Sequence, residues 1–394
     1  MKLTIIIIIY ALIVIAAATI LTLTLRKAMK DEVHRMASVI VPVLILLLAM
    51  AFPLIGALVP DGPLCWFFQK WGNIFMGYVI YFYLALFAVG LIAFLTRKIR
   101  GAKNASAKST AKAMLVIPLM VTIVINIMGV KTAHDVQVTR YHMDKEALNQ
   151  TEPLRIVLFA DTHIGVNSSV DLYQDMVERI NAEKPDIVLM AGDMFTSSFN
   201  AMKDPKAYSR VLSKIESKYG VYAVYGNHDV DEPLLGGFTY ASKEEALRNP
   251  KADQWVDDCN WKLLRDEVIR IPELKGLVIA GRRDSEKPGD GFMERAELKD
   301  LLKEVKPDEP IILLQHEPSN LKELDEYGVD LSLSGHTHDG QIFPGNYITG
   351  ILSELSYGMK EFGDSTAVVT SGVGYYGPPI RVDTISEIAV IDLE

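Results

Sequence analysis

Arg155-Ile-Val-Leu-Phe-Ala-Asp161-Thr-His163 reads as a short apolar strand that ends on a carboxylate and an imidazole. A run of that length, bounded by polar residues, suits a strand buried on both faces of a sheet. The pattern recurs along the chain. Asp186–Met190 runs on to Gly192-Asp193, and Val221–Tyr225 runs into Gly226-Asn-His-Asp229. Ile311–Gln315 precedes His316, and Leu331–Ser334 precedes Gly335-His-Thr-His338. Helical patterns over about 170–182 and 205–218 separate the first three strands. Strand and helix in alternation imply a largely parallel sheet covered by helices. Further strands are expected at Leu277–Ala280, Ala367–Thr370 and Glu387–Ile391, with the later strands building a second sheet packed on the first. Residues 231–265, with Trp255 and Trp261, read as an insertion over the site rather than as core.

The polar ends of these strands carry the chemistry. In α/β sheets, ligands gather where strands end at their carboxyl termini and loops converge. Asp161, Asp193, Asn227, His316 and His336 each sit at or just after such an end, and from residue 151 onward every histidine falls inside one of these motifs. The candidate metal ligands are therefore Asp161, His163, Asp193, Asn227, His316, His336 and His338, with His228 beside them. Mixed oxygen and nitrogen donors suit divalent Mn, Fe, Zn or Co. The set contains no thiolate, which argues against a structural zinc site. It points to a hydrolase with two divalent metal ions. Such ions, ~3.5–4 Å apart, clamp a phosphate and turn a bridging water into hydroxide near neutral pH. Gly192, Gly226 and Gly335 would let the backbone turn sharply close to the ions. Arg282-Arg283 read as solvated loop charges in preference to a phosphate grip.

The first third of the chain is of another kind. Four stretches, 3–25, 36–59, 71–96 and 113–130, are apolar and free of Asp, Glu, Lys and Arg. Each reaches or approaches the ~20 residues that cross a bilayer core as a helix. Pro42, Pro53 and Pro118 fall inside them, which a membrane bundle tolerates better than a lone soluble helix. Residues 1–130 thus form a four-helix transmembrane region, 131–152 a linker, and 153–394 the hydrolase domain. Arg26, Lys27, Lys30 and Arg35 lie between the first two stretches, and the basic, small-residue loop Arg97–Lys112 lies between the last two. Basic short loops stay cytoplasmic, so the hydrolase half is expected outside, fixed near the membrane lipid.

Residues 1–130 hold 12 Lys/Arg and 3 Asp/Glu, whereas the remainder holds 28 and 46, so the overall charge of −9 conceals two opposite halves. An acidic hydrolase half argues against non-specific nucleic-acid binding, which needs a basic footprint, so no nucleic acid is expected as a partner. The two cysteines, Cys65 and Cys259, read as isolated thiols. Spans without intramembrane charge are poor material for a solute pathway.

The ordered set D-x-H, G-D, G-N-H-D, H, G-H-x-H over about 155–340 resembles the calcineurin-like metallophosphoesterase superfamily, and more closely its bacterial membrane-anchored members. The segment Gly372–Val382 (GVGYYGPPIRV) is similar to the ending of that subgroup. Asp339 departs from it, since relatives often carry Gly before Gly340-Gln341. The resemblance implies an α/β/β/α four-layer sandwich. It implies that Asp161, His163 and His338 hold one metal, that Asn227, His316 and His336 hold the other, and that Asp193 bridges them. It gives His228 the role of protonating the leaving oxygen or stabilising the phosphoryl charge, and the adjacent Asp229 reads as its orienting partner. The expected substrate is a phosphate ester, a diester or lipid-linked phosphate being favoured by the tether. A metal-bound scaffold or sensor without turnover is the alternative. The complete ligand set together with His228 argues against it.

Overall fold

The computed structural model of the chain describes residues 2–28, 32–100, 107–196, 199–239, 249–287 and 294–394. Contacts divide it into two units. One comprises Met1–Val130, Leu234–Tyr240 and Gly377–Pro379; the other comprises Lys131–Pro233, Ala241–Tyr376 and Ile380–Glu394.

In the first unit, α1 (Lys2–Ala28), α2 (Glu32–Leu58), α3 (Pro63–Arg100) and α4 (Ala107–Ala133) follow one another. Among the described residues, three stretches are long and apolar enough to cross a membrane: Ile8–Arg26, Pro63–Thr96 and Ala113–Ala133. The apolar stretch of α2, Val43–Leu58, is shorter. Of four expected spans, three therefore meet the length criterion. The basic loop expected at 97–112 is helical at both flanks, and its middle, 101–106, lies outside the described residues. Leu21, Leu25, Leu46 and Met50 make a small core. Leu12, Ile15 and Leu48 are each about 60 % exposed. Continuous aliphatic surface of this kind is costly in water and natural against lipid. A short hairpin of β5 (Leu234–Leu235) and β6 (Phe238–Thr239), turning at Gly236-Gly237, belongs to this unit.

The second unit holds two six-stranded sheets. The first runs in the order β1 (Val136–Met143), β14 (Ser386–Leu393), β2 (Leu154–Phe159), β3 (Ile187–Ala191), β4 (Val221–Val224), β7 (Lys262–Leu263). The second runs β12 (Gly358–Phe362), β13 (Ser365–Val369), β11 (Leu331–Ser334), β10 (Ile311–Leu314), β9 (Leu277–Gly281), β8 (Glu267–Ile271). β2, β3 and β4 are parallel, as are β9, β10, β11 and β13. Two pairings differ from expectation. The last strand, β14, returns to the first sheet and lies antiparallel to β2. Residues 131–152 are not a free linker, because β1 pairs along its whole length with β14. Both pairings join the beginning of the second unit to its last strand, and no local pattern signals them.

Side chains on successive residues of a strand face opposite ways. Ile156, Leu158 and Leu189 share a core with Ile279, Ile312, Leu314, Leu331 and Leu333 of the second sheet. Val157, Phe159, Val188 and Met190 pack instead with α5 (Val170–Ala182), α6 (Pro205–Leu212) and α7 (Pro250–Asp258). The second sheet's other side, through Val278, Leu313 and Ala367, packs with α8 (Leu298–Leu301) and with Leu321 and Leu324. α6 starts where the Asp204 carboxylate accepts the Ala207 N–H and Pro205 takes the first helical position. Its early end at Leu212 shortens the helix expected over 205–218. Trp255 and Trp261 are buried against Phe195 and Phe159, with ring centroids 5.1 and 5.6 Å apart, so they are core and not a cover over the site. Part of their segment, residues 240–248, lies outside the described residues. Cys65 and Cys259 are free and buried.

Candidate metal centre

All seven expected ligands converge where β2, β3, β4, β10 and β11 end. Asp161, His163 and His338 form one group and Asp193, His316 and His336 a second, with the ligand atoms of each group within 4.8 Å of one another. His163 Nε2 lies 3.0 Å from His338 Nε2, and His338 Nε2 lies 3.7 Å from Asp161 Oδ1. In the second group, His316 Nε2 is 3.1 Å from both His336 Nδ1 and Asn227 Oδ1. Asp193 joins the groups: its Oδ2 is 3.5 Å from His163 Nε2 and 3.1 Å from His316 Nε2.

The backbone is bent to make this possible. Asp161, His163, Asp193, His336 and His338 all have positive φ, between 43° and 75°. Left-handed conformations are uncommon outside glycine and cluster where function imposes them. Two glycines allow the close approach. A Cβ on Gly226 would run into Asp193 Oδ1, and one on Gly335 would stand 2.5 Å from Asp161 Oδ2.

Hydrogen bonds behind the ligands fix their direction. His316 Nδ1–H donates to the Ala191 carbonyl at 2.7 Å, which turns Nε2 toward the centre. Asp161 accepts the His336 backbone N–H at 3.0 Å. The loop that covers Asp161 is tied down by the Val373 and Gly374 N–H groups, which donate to the Ala160 and Asp161 carbonyls. Arg381, fully buried, holds that loop by donating to the carbonyls of Ser371, Gly372 and Gly374 at 2.7 to 3.0 Å.

Electrostatics prepare the two groups differently. Burial pushes Asp161 up to about 7 and pushes His163 down to about 3, and His338 falls well below the usual imidazole range for the same reason. Burial opposes charge on Asp193 and His316 as well, but each stabilises the other's charge. Asp193 is held well below the usual carboxylate range and His316 well above the usual imidazole range. Burial and the His316 charge bring His336 down to about 4.

The donor set fits divalent ions. Two buried imidazole nitrogens 3.0 Å apart are close enough for one ion to bind both, since metal–imidazole bonds are ~2.0–2.1 Å. Oxygen and nitrogen donors without sulfur favour Mn, Fe, Zn or Co.

The assignment of Asp229 changes. Its carboxylate is taken by three backbone N–H groups: Asp193 at 2.9 Å, Phe195 at 3.0 Å and Gly226 at 2.8 Å. It therefore knits the Asp193 and Asn227 loops together. At His228 the carboxylate is Glu232, with Oε1 3.1 Å from Nδ1. The Tyr376 ring stacks on His228 with centroids 4.4 Å apart and lies 5.4 Å from His163. Glu232 carries no motif in the sequence, whereas Tyr376 and Arg381 fall in the stretch 372–382 that is similar to the subgroup ending. Arg282-Arg283 are not solvated loop charges. Arg282 is buried and donates to the Ala296 carbonyl, and the largely buried Arg283 guanidinium pairs with Asp266 at 3.5 Å. Asp339 is in the left-handed region at φ 50°, a conformation that glycine adopts without strain.

A family model described as calcineurin-like phosphoesterase matches residues 154–340. An uncharacterized metallophosphoesterase of Aquifex aeolicus is 30% identical over 261 residues, 66% of this chain and 92% of that protein. One of Campylobacter jejuni is 30% identical over 253 residues, 64% of this chain and 62% of its own length. A transmembrane protein with metallophosphoesterase domain from Danio rerio is 29% identical over 330 residues, 80% of this chain and 71% of that protein. The chain spans about three fifths of the length of the Campylobacter relative and of one from Helicobacter pylori.

Proposed function

The chain belongs to the calcineurin-like phosphoesterase family, and we propose that it is a membrane-anchored phosphohydrolase that uses two divalent ions to cleave a phosphodiester or lipid phosphate. The observation that carries this reading is the single carboxylate, Asp193, standing between two otherwise separate ligand groups. Asp161, His163 and His338 would hold one ion, and Asn227, His316 and His336 the other. When bound, the ions supply hydroxide near neutral pH and offset phosphate charge. Neutral Asn227 contributes its amide oxygen without adding negative charge against the phosphate. Asp229 keeps the two ligand loops in register, and His228 stands at the side of Asn227 to serve the leaving oxygen. The sandwich would have the α/β/β/α order that the resemblance implies.

The lipid-phosphate preference draws on α9 (Gly345–Leu352), which follows the last ligand loop. Phe343, Tyr347, Ile348, Ile351 and Leu352 are exposed there, the last two by 83 and 80 %. Among the described residues from 131 onward, Phe238 is the only other exposed large apolar side chain. A membrane-fixed site also meets membrane-borne substrates at high effective concentration. With four spans, basic loops after α1 and α3 held in the cytoplasm would leave the hydrolase unit outside.

The test is turnover by the full-length chain in detergent with Mn, on bis-p-nitrophenyl phosphate, p-nitrophenyl phosphate and a phosphatidyl diester. Diester cleavage that stops on chelation supports the reading. Monoester cleavage alone turns it toward a phosphatase. Bound metal without turnover of any of the three favours the scaffold or sensor alternative.

A further inference from the structure

Outside the ligand motifs, one segment reaches the site from the end of β9. It is Asp284-Ser-Glu-Lys287. The Asp284 carboxylate accepts the backbone N–H groups of Glu286 and Lys287 at 2.8 and 2.9 Å, which fixes the turn. From that turn, Glu286 Oε2 accepts from Asn227 Nδ2 at 3.3 Å, and Lys287 Nζ donates to Glu232 Oε2 at 2.6 Å. The Glu232 side chain is fully buried and that of Lys287 is 9% exposed. A buried ion pair is a poor source of stability, because desolvation offsets its attraction, so its presence calls for another reason.

We propose that Glu232 and Lys287 are positioning residues that set the proton arrangement of His228. This deepens the hydrolase reading above and rests on it for its kinetic arm. The two Glu232 oxygens face different groups: Oε2 accepts from the Lys287 ammonium, and Oε1 lies against His228 Nδ1. An ammonium only donates and a carboxylate only accepts, so Nδ1 must carry a hydrogen. Nε2 is then the atom that takes and returns a proton on the side of Asn227, 3.5 Å from its Nδ2. Stacking on Tyr376 fixes the ring plane. Lys287 also cancels the Glu232 charge, so the carboxylate orients the imidazole without adding net negative charge where a phosphate would bind. Glu286 does for Asn227 what Glu232 does for His228: it holds the amide nitrogen, so that the amide oxygen faces His316.

The arrangement makes an unusual demand on Glu232→Gln. Lys287 would claim the amide oxygen, the amide N–H₂ would face Nδ1, and His228 would be forced into the opposite tautomer. Removing the ammonium as well, in Glu232→Gln with Lys287→Met, frees the amide oxygen to turn back. The experiment uses the full-length chain, ¹⁵N-labelled at histidine, with the His228 signals assigned by their loss in His228→Ala. In the native chain Nδ1 is the protonated nitrogen of the neutral ring. In Glu232→Gln it is Nε2, and the double variant recovers the native pattern. In kinetics, Glu232→Gln lowers kcat by roughly 10- to 100-fold for poor leaving groups. It changes p-nitrophenyl esters and KM little, and bound metal stays as in the native chain. The double variant regains most of that loss. An unchanged His228 tautomer in Glu232→Gln, or an equal loss for every leaving group without recovery in the double variant, would overturn the proposal. Absence of turnover in the native chain would count against the hydrolase reading alone, since the tautomer is read without it.

Discussion

The two ligand groups are built from the same kinds of residue, yet their protons are stored in different places. In the Asp161 group the imidazoles are neutral and ready to bind, and the proton that a metal must displace sits on Asp161, held up to about 7 by burial. In the Asp193 group the carboxylate is already charged, and the proton sits on His316, held there by Asp193 itself. A cation entering the first group removes a proton from a carboxyl; a cation entering the second replaces an imidazolium as the partner of Asp193. The difference teaches that the shared carboxylate is fully charged only because a positive group already faces it. It also predicts two sites of unequal pH dependence.

Removing the shared residue is the largest perturbation. Asp193→Ala is expected to lower turnover by about 1000-fold or more and to reduce bound metal at both groups, checked by elemental analysis beside kinetics. His336→Ala should break the symmetry: one ion lost, the Asp161 group still loaded, and turnover lowered less than by Asp193→Ala. Retention of both ions in that variant would contradict the grouping.

Proton competition sharpens the comparison further. Below the folded pKa of about 7, Asp161 binds a proton that the metal must expel. Affinity at that group should therefore fall about tenfold for each unit of pH below 7 and level off above it. His316 is held well above the usual imidazole range, so affinity at its group should still rise with pH beyond 7. Calorimetric titrations with Mn at pH 6, 7 and 8 would read both slopes. Two sites with identical pH dependence would show that the proton placement is wrong. A smaller effect is expected at α9: Ile351→Asp with Leu352→Asp should lower turnover of a vesicle-borne diester severalfold and leave p-nitrophenyl esters unchanged.

Much of this was legible because chemistry and strand ends coincide in the sequence. Asp161, Asp193, Asn227, His316 and His336 each follow an apolar run, and the structure brings all of them to one place. What was not legible depends on long-range pairing or on backbone twist. β14 enters the first sheet between β1 and β2, joining the last strand of the second unit to its first two, which lie more than 200 residues earlier. Positive φ at Asp161, His163 and Asp193 leaves no trace in their identity. Glu232 lies four residues after His228, and its value comes from Lys287, whose side chain a folded turn brings back. Asp229 looked like the partner of His228 because it is adjacent, but its carboxylate faces backbone N–H groups. The tryptophans Trp255 and Trp261 sat in a segment with weak pattern, and only packing shows that they are core.

The most direct test of the central claim is the metal content and Mn-dependent turnover of bis-p-nitrophenyl phosphate, measured side by side for the native full-length chain and Asp193→Ala. Two bound ions with turnover in the native chain, and loss of both in the variant, is the predicted result. A variant that keeps its metal and its turnover would contradict a centre organised around one shared carboxylate.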